Sequence, residues 1–427
     1  MVVFPLILLF VMFIFNIPVA FCLMMAALSY FVLCPTGLEA FMVVQRMVAS
    51  SESFPMLAIP FFILAGTIMT YSGISSRLMS FAECLTGHMN GGLGQVNVLL
   101  SALMGGVSGS SNADAAMQSK MLVPEMVKRG YSKAFSAAVT AASACITPII
   151  PPGITLILFA FMAEQSVSKM FIAGIVPGIL ITVALMIVVT IISRRKGYKP
   201  VREKRATGRE IWHEFVQAIW ALFMPFGLIM GLRFGVFTAS EAGAVSVVYT
   251  LIVGFFIYKE LKPNMIGRIL KESIQSTCSV MLIIVSAAAF SYYMSWERIP
   301  QMVTNALVGL TSSPWVLLLI INIFLLILGM FLEGTASLII LTPLLLPVTT
   351  ALGIDPIHLG ILMVVNITLG GMTPPFGTLI FVVCSTLKLE ITEFIKESIP
   401  FIIAMLIVLG IITYLPGVVM FLPNLIG

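Results

Sequence analysis

The stretch Gly106-Val-Ser-Gly-Ser-Ser-Asn112 interrupts an apolar run in the first half of the chain. A related stretch, Gly329-Met-Phe-Leu-Glu-Gly-Thr335, interrupts the second half, so that Gly106 corresponds to Gly329 at an offset of 223. The same offset carries Pro124 onto Pro347, Pro151-Pro152 onto Pro374-Pro375, and Thr155 onto Thr378. Apolar segments broken by glycine and proline at matching places in two halves are typical of the substrate and ion site of a secondary transporter. The duplication therefore predicts a transporter.

The composition places the chain in a membrane. Apolar residues make up 59% and charged residues 10% of the sequence, and the mean hydropathy is +1.11. Soluble domains average about 45–50% apolar and 25% charged residues. Runs of membrane-spanning length indicate helices, because the strands of a membrane barrel alternate in hydrophobicity. The expected fold class is an all-α integral membrane protein, and residues 1–33 lack the charged start and cleavage site of a signal peptide.

The charged residues are unevenly placed. Eight of the 23 Lys and Arg residues lie between Arg194 and Arg209. Cytoplasmic loops of membrane proteins collect Lys and Arg, so this segment is expected on the cytoplasmic side with both termini outside. The segment is too short and too closely tethered between spans to indicate a nucleic-acid partner. The six Cys residues show no CxxC spacing and are expected to be core residues rather than metal ligands.

The pattern predicts ten spans, two of them broken, together with two re-entrant hairpins. The spans are expected at 2–15, 17–33, 55–72, 133–165 (broken), 170–193, 217–232, 238–258, 276–296, 355–388 (broken) and 398–420. The hairpins are expected at 93–128 and 313–350, and they open to opposite sides, which gives the two halves inverted topology. Three amphipathic stretches, 36–52, 208–216 and 262–275, are expected to lie at the membrane surface.

This organisation divides the chain into four parts. Residues 1–92 form the scaffold of the first repeat, and 93–193 form its transport part with the first hairpin. Residues 194–312 contain the cytoplasmic linker and the scaffold of the second repeat. Residues 313–427 form the second transport part with the second hairpin.

The broken segments are expected to line a site, because a lipid-exposed break leaves backbone groups without partners. Hydroxyl and amide oxygens at the first tip face a break, Thr147 to Gly153, whose prolines remove N–H donors and leave carbonyl groups free. Neutral oxygens of this kind suit Na⁺, and helix N-termini at each tip favour an anion. The alternative is that Gly and Ser only allow close helix packing.

Two carboxylates lie near the tips, Asp114 and Glu333, and ionisable groups inside a membrane are candidates for function. For Asp114 the alternative is structural, because Ser111-x-x-Asp114 resembles a capping box. Glu333 is expected at a tip, within reach of water or a cation. The three His residues, 88, 213 and 358, are interpreted as surface residues near the membrane interfaces.

The sequence resembles the large membrane subunit of TRAP (tripartite ATP-independent periplasmic) transporters over essentially its whole length. The resemblance is carried by Asn16-Ile-Pro-Val-Ala-Phe21, Ala58-Ile-Pro-Phe61, Gly105-Gly-Val-Ser-Gly-Ser-Ser-Asn-Ala-Asp114, Pro148-Ile-Ile-Pro-Pro-Gly153 and Thr373-Pro-Pro-Phe-Gly377. It implies an inverted-repeat, elevator-type ion-transporter fold that couples uptake of an organic acid to Na⁺ entry across the bacterial inner membrane. It also implies a small four-helix membrane subunit, a periplasmic binding protein and surrounding membrane lipid as partners.

The resemblance also implies the site residues. A first sodium site would involve Ser108, Ser110, Asn112, Thr147, Pro148, Pro151 and Gly153. A second would involve Gly334, Thr335, Ser337, Thr373, Pro374 and Gly377. The substrate would lie between the tips, near Ser111, Asn112, Asp114, Thr155, Glu333 and Thr378. The sequence as a whole most resembles the sialic-acid branch of the family, and the C4-dicarboxylate branch is the competing assignment.

Three other classes compete with a sodium-coupled carrier. An intramembrane serine protease would match Gly106-Val-Ser-Gly109, but a serine nucleophile needs a base within hydrogen-bond reach and no predicted span contains a well-buried His. An ion channel would not require inverted repeats. A proton-coupled carrier would require Asp114 or Glu333 to titrate.

Overall fold

The computed structural model describes residues 4–15, 17–33, 41–52, 54–311 and 313–426. All the regular secondary structure in these ranges is helical. Seven of the described helices are long and apolar enough to cross a bilayer, and an eighth span is added if a pair bent by 68° is counted as one. The predicted all-α membrane fold is confirmed.

The first half contains eleven α-helices in the described ranges. They are α1 (Phe4–Ile14), α2 (Val19–Leu33), α3 (Phe41–Ser51), α4 (Ala58–Tyr71), α5 (Ile74–Thr86), α6 (Gly92–Ser108), α7 (Ser111–Met121), α8 (Val123–Lys128), α9 (Lys133–Ala144), α10 (Ile154–Met162) and α11 (Val167–Lys196).

The second half contains ten. They are α12 (Gly208–Arg233), α13 (Ala239–Ile252), α14 (Ile266–Trp296), α15 (Ile299–Leu310), α16 (Pro314–Phe331), α17 (Gly334–Ala351), α18 (Pro356–Met372), α19 (Thr378–Leu387), α20 (Ile391–Tyr414) and α21 (Pro416–Ile426). A π-helical turn, Val253–Ile257, continues α13.

Both predicted hairpins and both broken spans are present. The first hairpin is α6 and α7 with its tip at Gly109–Ser110, and the second is α16 and α17 with its tip at Leu332–Glu333. Ser110 and Glu333, which are separated by the repeat offset, are the N-cap residues of α7 and α17. The spans break between α9 and α10 and between α18 and α19. The repeat read from the sequence is therefore a repeat of structure.

Two of the three predicted surface helices are wrong as separate elements. The stretch 208–216 is the start of α12, and 262–275 leads into α14 without interruption. Residues 266–296 contain no proline, so the helical hydrogen-bond ladder continues, whereas Pro55 lies in a 3₁₀ turn between α3 and α4. Of the stretch 36–52, the helix at 41–51 is observed, and 36–40 lie outside the described residues. Helices α5 and α15 were not predicted.

The core of each half is the first leg of its broken span. Every residue of α9 from Phe135 to Ala144 is buried, as is every residue of α18 from Ile357 to Met372. Helix α9 achieves this with Ala, Ser and Thr, which let neighbouring helices approach closely.

The two halves interleave, because α7 packs on α19 and α10 packs on α17. The Cys145 Sγ lies 3.5 Å from the carbonyl oxygen of Thr368, its equivalent at the repeat offset. The hairpins and broken spans therefore form one body.

The scaffold helices pack separately. Helix α14 lies against α2, α3 and α4, and α13 lies against α4. The interleaved body meets this scaffold where α5 packs on α6, where α4 contacts α6 and α10, and where α14 contacts α17. A boundary between two groups of helices therefore runs past both hairpin tips.

We expect Gly370→Ala to destabilise the protein. A Cβ on Gly370 would lie 2.7 Å from the Cα of Gly329 and 3.1 Å from the carbonyl oxygen of Leu326, so α16 and α18 would have to separate. Overpacking of this kind costs about 1–3 kcal/mol, which is measurable as a lower melting temperature in detergent. Gly410→Ala is the control, since nothing lies within 4 Å of its added Cβ. Equal melting temperatures for the two variants would contradict this packing.

Candidate functional site

A cavity of about 840 Å³ lies between the two hairpin tips, the second legs of the broken spans and the scaffold. From the interleaved body it is lined by Gly109, Ser110, Ser111, Asn112, Ala113, Pro148, Ile154, Thr155, Glu333, Gly334, Thr335, Ala336, Ile367, Thr368, Gly371, Thr378 and Leu379. From the scaffold it is lined by residues of α2, α4 and α14 and by Pro18, just before α2. Residues more than 200 positions apart therefore share one chamber.

Four helices of the interleaved body begin at the wall of this cavity. Helices α7 and α17 start at the hairpin tips, and α10 and α19 start at the ends of the two breaks. Each N-terminus presents unpaired backbone N–H groups and a partial positive charge equivalent to about half an elementary charge. None of the described lining residues is Lys, Arg or His. Any attraction for an anion in this cavity therefore comes from helix ends rather than from basic side chains.

The breaks are close turns that only glycine allows. A Cβ on Gly153 would lie 2.1 Å from the carbonyl oxygen of Pro148, and a Cβ on Gly377 would lie 2.3 Å from that of Gly371. Thr155 Oγ1 donates a hydrogen bond of 3.1 Å to the same Pro148 oxygen. The Pro151-Pro152 and Pro374-Pro375 peptide bonds are both cis. Carbonyl oxygens are thus packed tightly beside each break.

Two buried oxygens of the predicted sodium sites have no hydrogen-bond partner. They are Asn112 Oδ1 in the first half and Ser337 Oγ in the second. A buried acceptor without a partner costs about 1–3 kcal/mol, which a cation would recover. Neutral oxygens beside the carbonyl groups of the breaks fit a weakly held Na⁺ better than a transition metal, and the described residues hold no cluster of His, Cys, Asp and Glu suited to a metal. The side chain of Ser108 lies outside the described part of the chain.

Glu333 caps its hairpin tip. One carboxylate oxygen accepts a hydrogen bond from the backbone N–H of Ala336 at 3.1 Å, and the other accepts from Thr335 Oγ1 at 3.0 Å. In the first half Ser110 Oγ accepts from the backbone N–H of Ala113 at 3.5 Å. Glu333 is exposed and lines the cavity. The two tips share their cap position and differ by one negative charge.

The capping-box interpretation of Asp114 is wrong. The N-cap of α7 is Ser110, so the hydrogen-bonding register excludes a Ser111–Asp114 box. The Asp114 carboxylate is 1% exposed and accepts hydrogen bonds from Ser101 at 2.7 Å, from Gln118 at 2.9 Å and from Thr147 at 3.0 Å. It does not line the cavity. The structure places it behind the wall, where it ties both legs of the first hairpin to the break.

The remaining predicted residues divide between the cavity wall and the layer behind it. Ser110, Ser111, Asn112, Pro148, Thr155, Gly334, Thr335 and Thr378 line the cavity. Thr147, Pro151, Gly153, Ser337, Thr373, Pro374 and Gly377 belong to the tips and breaks but do not line it. Thr373 Oγ1 instead donates to the carbonyl oxygen of Leu369 at 2.8 Å.

Sequence reasoning missed the scaffold wall. Thr67 and Thr70 on α4, and Glu272, Ser276 and Ser279 on α14, face the same cavity. Polar residues at i, i+4 and i+7 within an apolar helix were the available signal on α14.

The surface interpretation of His358 is wrong, since this ring is 3% exposed and lies 2.8 Å from the carbonyl oxygen of Ile412.

We expect Asp114→Ala to destabilise the protein more than Glu333→Ala does. The first change leaves three buried donors without their acceptor, at a cost of about 1–3 kcal/mol or more for a charged partner. The second removes an exposed helix cap worth about 1 kcal/mol. Thermal unfolding of both variants in the same detergent measures the difference. Equal losses would contradict the buried position of Asp114.

Comparison with known proteins agrees with this geometry. Residues 6–418 match the family model described as "Tripartite ATP-independent periplasmic transporter, DctM component". The chain is 38% identical over 382 residues to the C4-dicarboxylate TRAP transporter large permease protein DctM of Pseudomonas aeruginosa, covering 90% of this chain and 89% of that protein. It is 35% identical over 411 residues to the sialic acid TRAP transporter large permease protein SiaM of Vibrio cholerae, covering 96% and 95%.

A solved structure shares the fold. The YdaH transporter of Alcanivorax borkumensis superposes with a TM-score of 0.59 at 16% identity, covering 97% of this chain and 98% of that one. At this coverage the match extends over both halves. The chain therefore belongs to the DctM component family of tripartite ATP-independent periplasmic transporters, and it is a multi-pass membrane transporter rather than an enzyme.

Proposed function

We propose that this chain carries out sodium-coupled secondary active uptake of an organic acid, most specifically sialic acid, across the bacterial inner membrane. The observation that carries the proposal is the convergence of four helix N-termini on one cavity beside two buried oxygens without partners. Helix ends provide a binding site for a carboxylate, and neutral oxygens provide sites for Na⁺. One cavity thus accommodates both the acid and the ions that drive it.

The sodium ions are cargo in this mechanism. Asn112 Oδ1 and the carbonyl groups of the 145–153 break would hold one ion, and Ser337 Oγ with the 373–377 break would hold another. Both groups of oxygens belong to the tips and breaks at which the cavity-lining helices begin. Binding of Na⁺ would therefore stabilise the tips in the geometry that the anion needs, and this linkage would couple the two fluxes.

The cavity favours a large hydroxylated acid. Its volume of about 840 Å³ is within the range of pockets that bury a drug-sized ligand. Its lining includes many hydroxyl groups, among them those of Ser110, Ser111, Thr155, Thr335 and Thr378. A C4-dicarboxylate is the competing cargo, because the Pseudomonas aeruginosa relative bears that name. The two carboxylates of the lining, Glu272 and Glu333, weigh against a dianion.

Transport would proceed by an elevator movement. The interleaved hairpins and broken spans form one body against the scaffold, which suits rigid displacement. The cavity reaches Pro18 before α2, Thr70 near the end of α4 and Glu272 near the start of α14. The placement of Lys and Arg assigns these scaffold ends to the cytoplasmic side. The structure would then correspond to the state that releases cargo inward.

The proposed assembly has two partners. The description of the matching family names one component of a tripartite periplasmic transporter, and the two relatives are named large permeases. A small four-helix membrane subunit would bind the scaffold, and a periplasmic binding protein would deliver the acid. Membrane lipid would surround both, and Na⁺ would be the coupling ion.

The membrane potential is sufficient to drive this cycle. Two Na⁺ entering with one carboxylate would carry one net positive charge, and each charge moved down 100 mV supplies about 2.3 kcal/mol. We therefore expect an inward current during uptake by liposomes that contain the assembled transporter. Electrically silent uptake would contradict this stoichiometry.

The function is tested by uptake of labelled sialic acid into proteoliposomes containing this chain, the small subunit and the binding protein. We expect uptake that requires both a sodium gradient and the binding protein. Uptake driven by a pH gradient alone would favour proton coupling through Asp114 or Glu333. Labelled succinate in place of sialic acid tests the dicarboxylate alternative.

We expect Asn112→Ala and Ser337→Ala each to raise the Na⁺ concentration for half-maximal uptake by about tenfold, which corresponds to about 1.4 kcal/mol of binding free energy. Each change removes an oxygen assigned to an ion. Thr335→Ala should have a smaller effect in the same direction. Ser119→Ala is a matched control, because its buried hydroxyl also lacks a partner but lies near the end of α7, outside the residues assigned to either ion. Unchanged sodium activation in the first two variants would refute the ion assignment.

A further inference from the structure

The scaffold wall of the cavity carries a carboxylate, Glu272. Ser276 and Ser279 follow it on α14 at the spacing of one helix face, and all three line the cavity. Helix α14 packs against α17, whose N-cap Glu333 is the other carboxylate of the lining. The cavity therefore has acidic side chains from both the scaffold and the interleaved body.

Glu272 is held in a fixed position. Tyr71 Oη, on the neighbouring scaffold helix α4, lies 2.8 Å from each of its two carboxylate oxygens. Arg268 Nε, one turn earlier on α14, donates to the Oε1 atom at 3.0 Å, and its guanidinium lies 5.5 Å from the centre of the Tyr71 ring. The side chain of Glu272 remains 40% exposed. It is thus a preorganised acceptor at the edge of the cavity.

This acceptor retains capacity for a ligand. A carboxylate offers about four lone-pair positions, and the contacts with Tyr71 and Arg268 occupy no more than three of them. A hydroxyl or amide N–H of a bound acid can donate a hydrogen bond to the unoccupied lone-pair position of Glu272. A second carboxylate at the same place can donate nothing, and it would meet the like charge of Glu272.

We propose that Glu272 is a specificity-determining residue that accepts a hydrogen bond from a hydroxyl or amide group of a mono-acid and disfavours a second carboxylate. The inference rests on the proposed function of the cavity as an organic-acid site. The helix N-termini hold the single carboxylate, and the scaffold wall recognises the uncharged remainder of the molecule. Glu272 corresponds by the repeat offset to Ala49, which is not among the lining residues, so one wall alone makes this selection.

The test is direct binding to the purified permease with its small subunit in sodium-containing detergent, without the binding protein, so that only the permease selects. The probes are gluconate and glucarate, which share six carbons and differ by a terminal hydroxymethyl group or carboxylate, together with N-acetylneuraminate. Apparent Kd values come from ligand-dependent shifts in melting temperature. We expect the wild-type protein to prefer gluconate, and Glu272→Gln to narrow the glucarate-to-gluconate Kd ratio by about tenfold.

Glu260→Gln is the matched control. Glu260 also pairs with an arginine, Arg77, at 2.6 Å, and that guanidinium lies 3.9 Å from the Tyr258 ring, yet Glu260 does not line the cavity. We expect the glucarate-to-gluconate Kd ratio of Glu260→Gln to equal that of the wild-type protein. The melting temperature of each variant without ligand shows that it is folded.

The outcomes separate this inference from the proposed function. A ratio that is unchanged in Glu272→Gln while all three acids bind overturns the role of Glu272 and leaves the organic-acid site standing. A narrowed ratio with no binding of N-acetylneuraminate supports Glu272 and rejects sialic acid as the cargo. Tighter binding of glucarate than gluconate by the wild-type protein overturns the role of Glu272 and leaves the organic-acid site standing. Binding of N-acetylneuraminate alone, with the same Kd in Glu272→Gln as in the wild-type protein, also overturns the role of Glu272. Binding of none of the three acids overturns both.

Discussion

Backbone N–H and C=O groups that leave a helix within the hydrocarbon need a partner, and each group without one costs several kcal/mol. Residues 145–153 and 373–377 break two helices inside apolar segments. Each half shields the other, since α7 packs on α19 and α10 packs on α17. The Cys145–Thr368 contact joins equivalent positions between the halves. Backbone N–H groups of the breaks donate locally, as those of Ile149 and Ile150 do to the Ile146 carbonyl oxygen and that of Thr373 does to Gly370. Packing of each half on the other holds the interleaved body together.

The same constraint supplies the chemistry of the site. In each half, the break starts one new helix and the hairpin tip starts another, so each half has two helix N-termini. The two halves together bring four helix N-termini to one cavity. An anion can be bound there without a basic side chain. The network around Asp114 ties the first tip to its break from behind the wall. Binding groups are thus backbone features, fixed by packing.

The hairpin tips repeat in backbone and differ in side chains. Ser110 and Glu333 cap equivalent helices, but only one carries a charge. The scaffold departs further, since α3 and α4 are separate helices while their equivalents are fused into α14. That fusion extends a continuous face from Glu272 to Ser279 along the cavity. Duplication provides the ion and anion groups, and divergence between the halves provides a wall that can discriminate between acids.

The sequence by itself determined the membrane class, the duplication and the position of both hairpins and both breaks, because apolar length, proline and glycine act locally on the backbone. The tertiary structure alone decided that Asp114 is buried behind the wall and that Glu272 faces the cavity. These depend on which helices meet across more than 200 residues of chain. A local pattern carries no information about such partners.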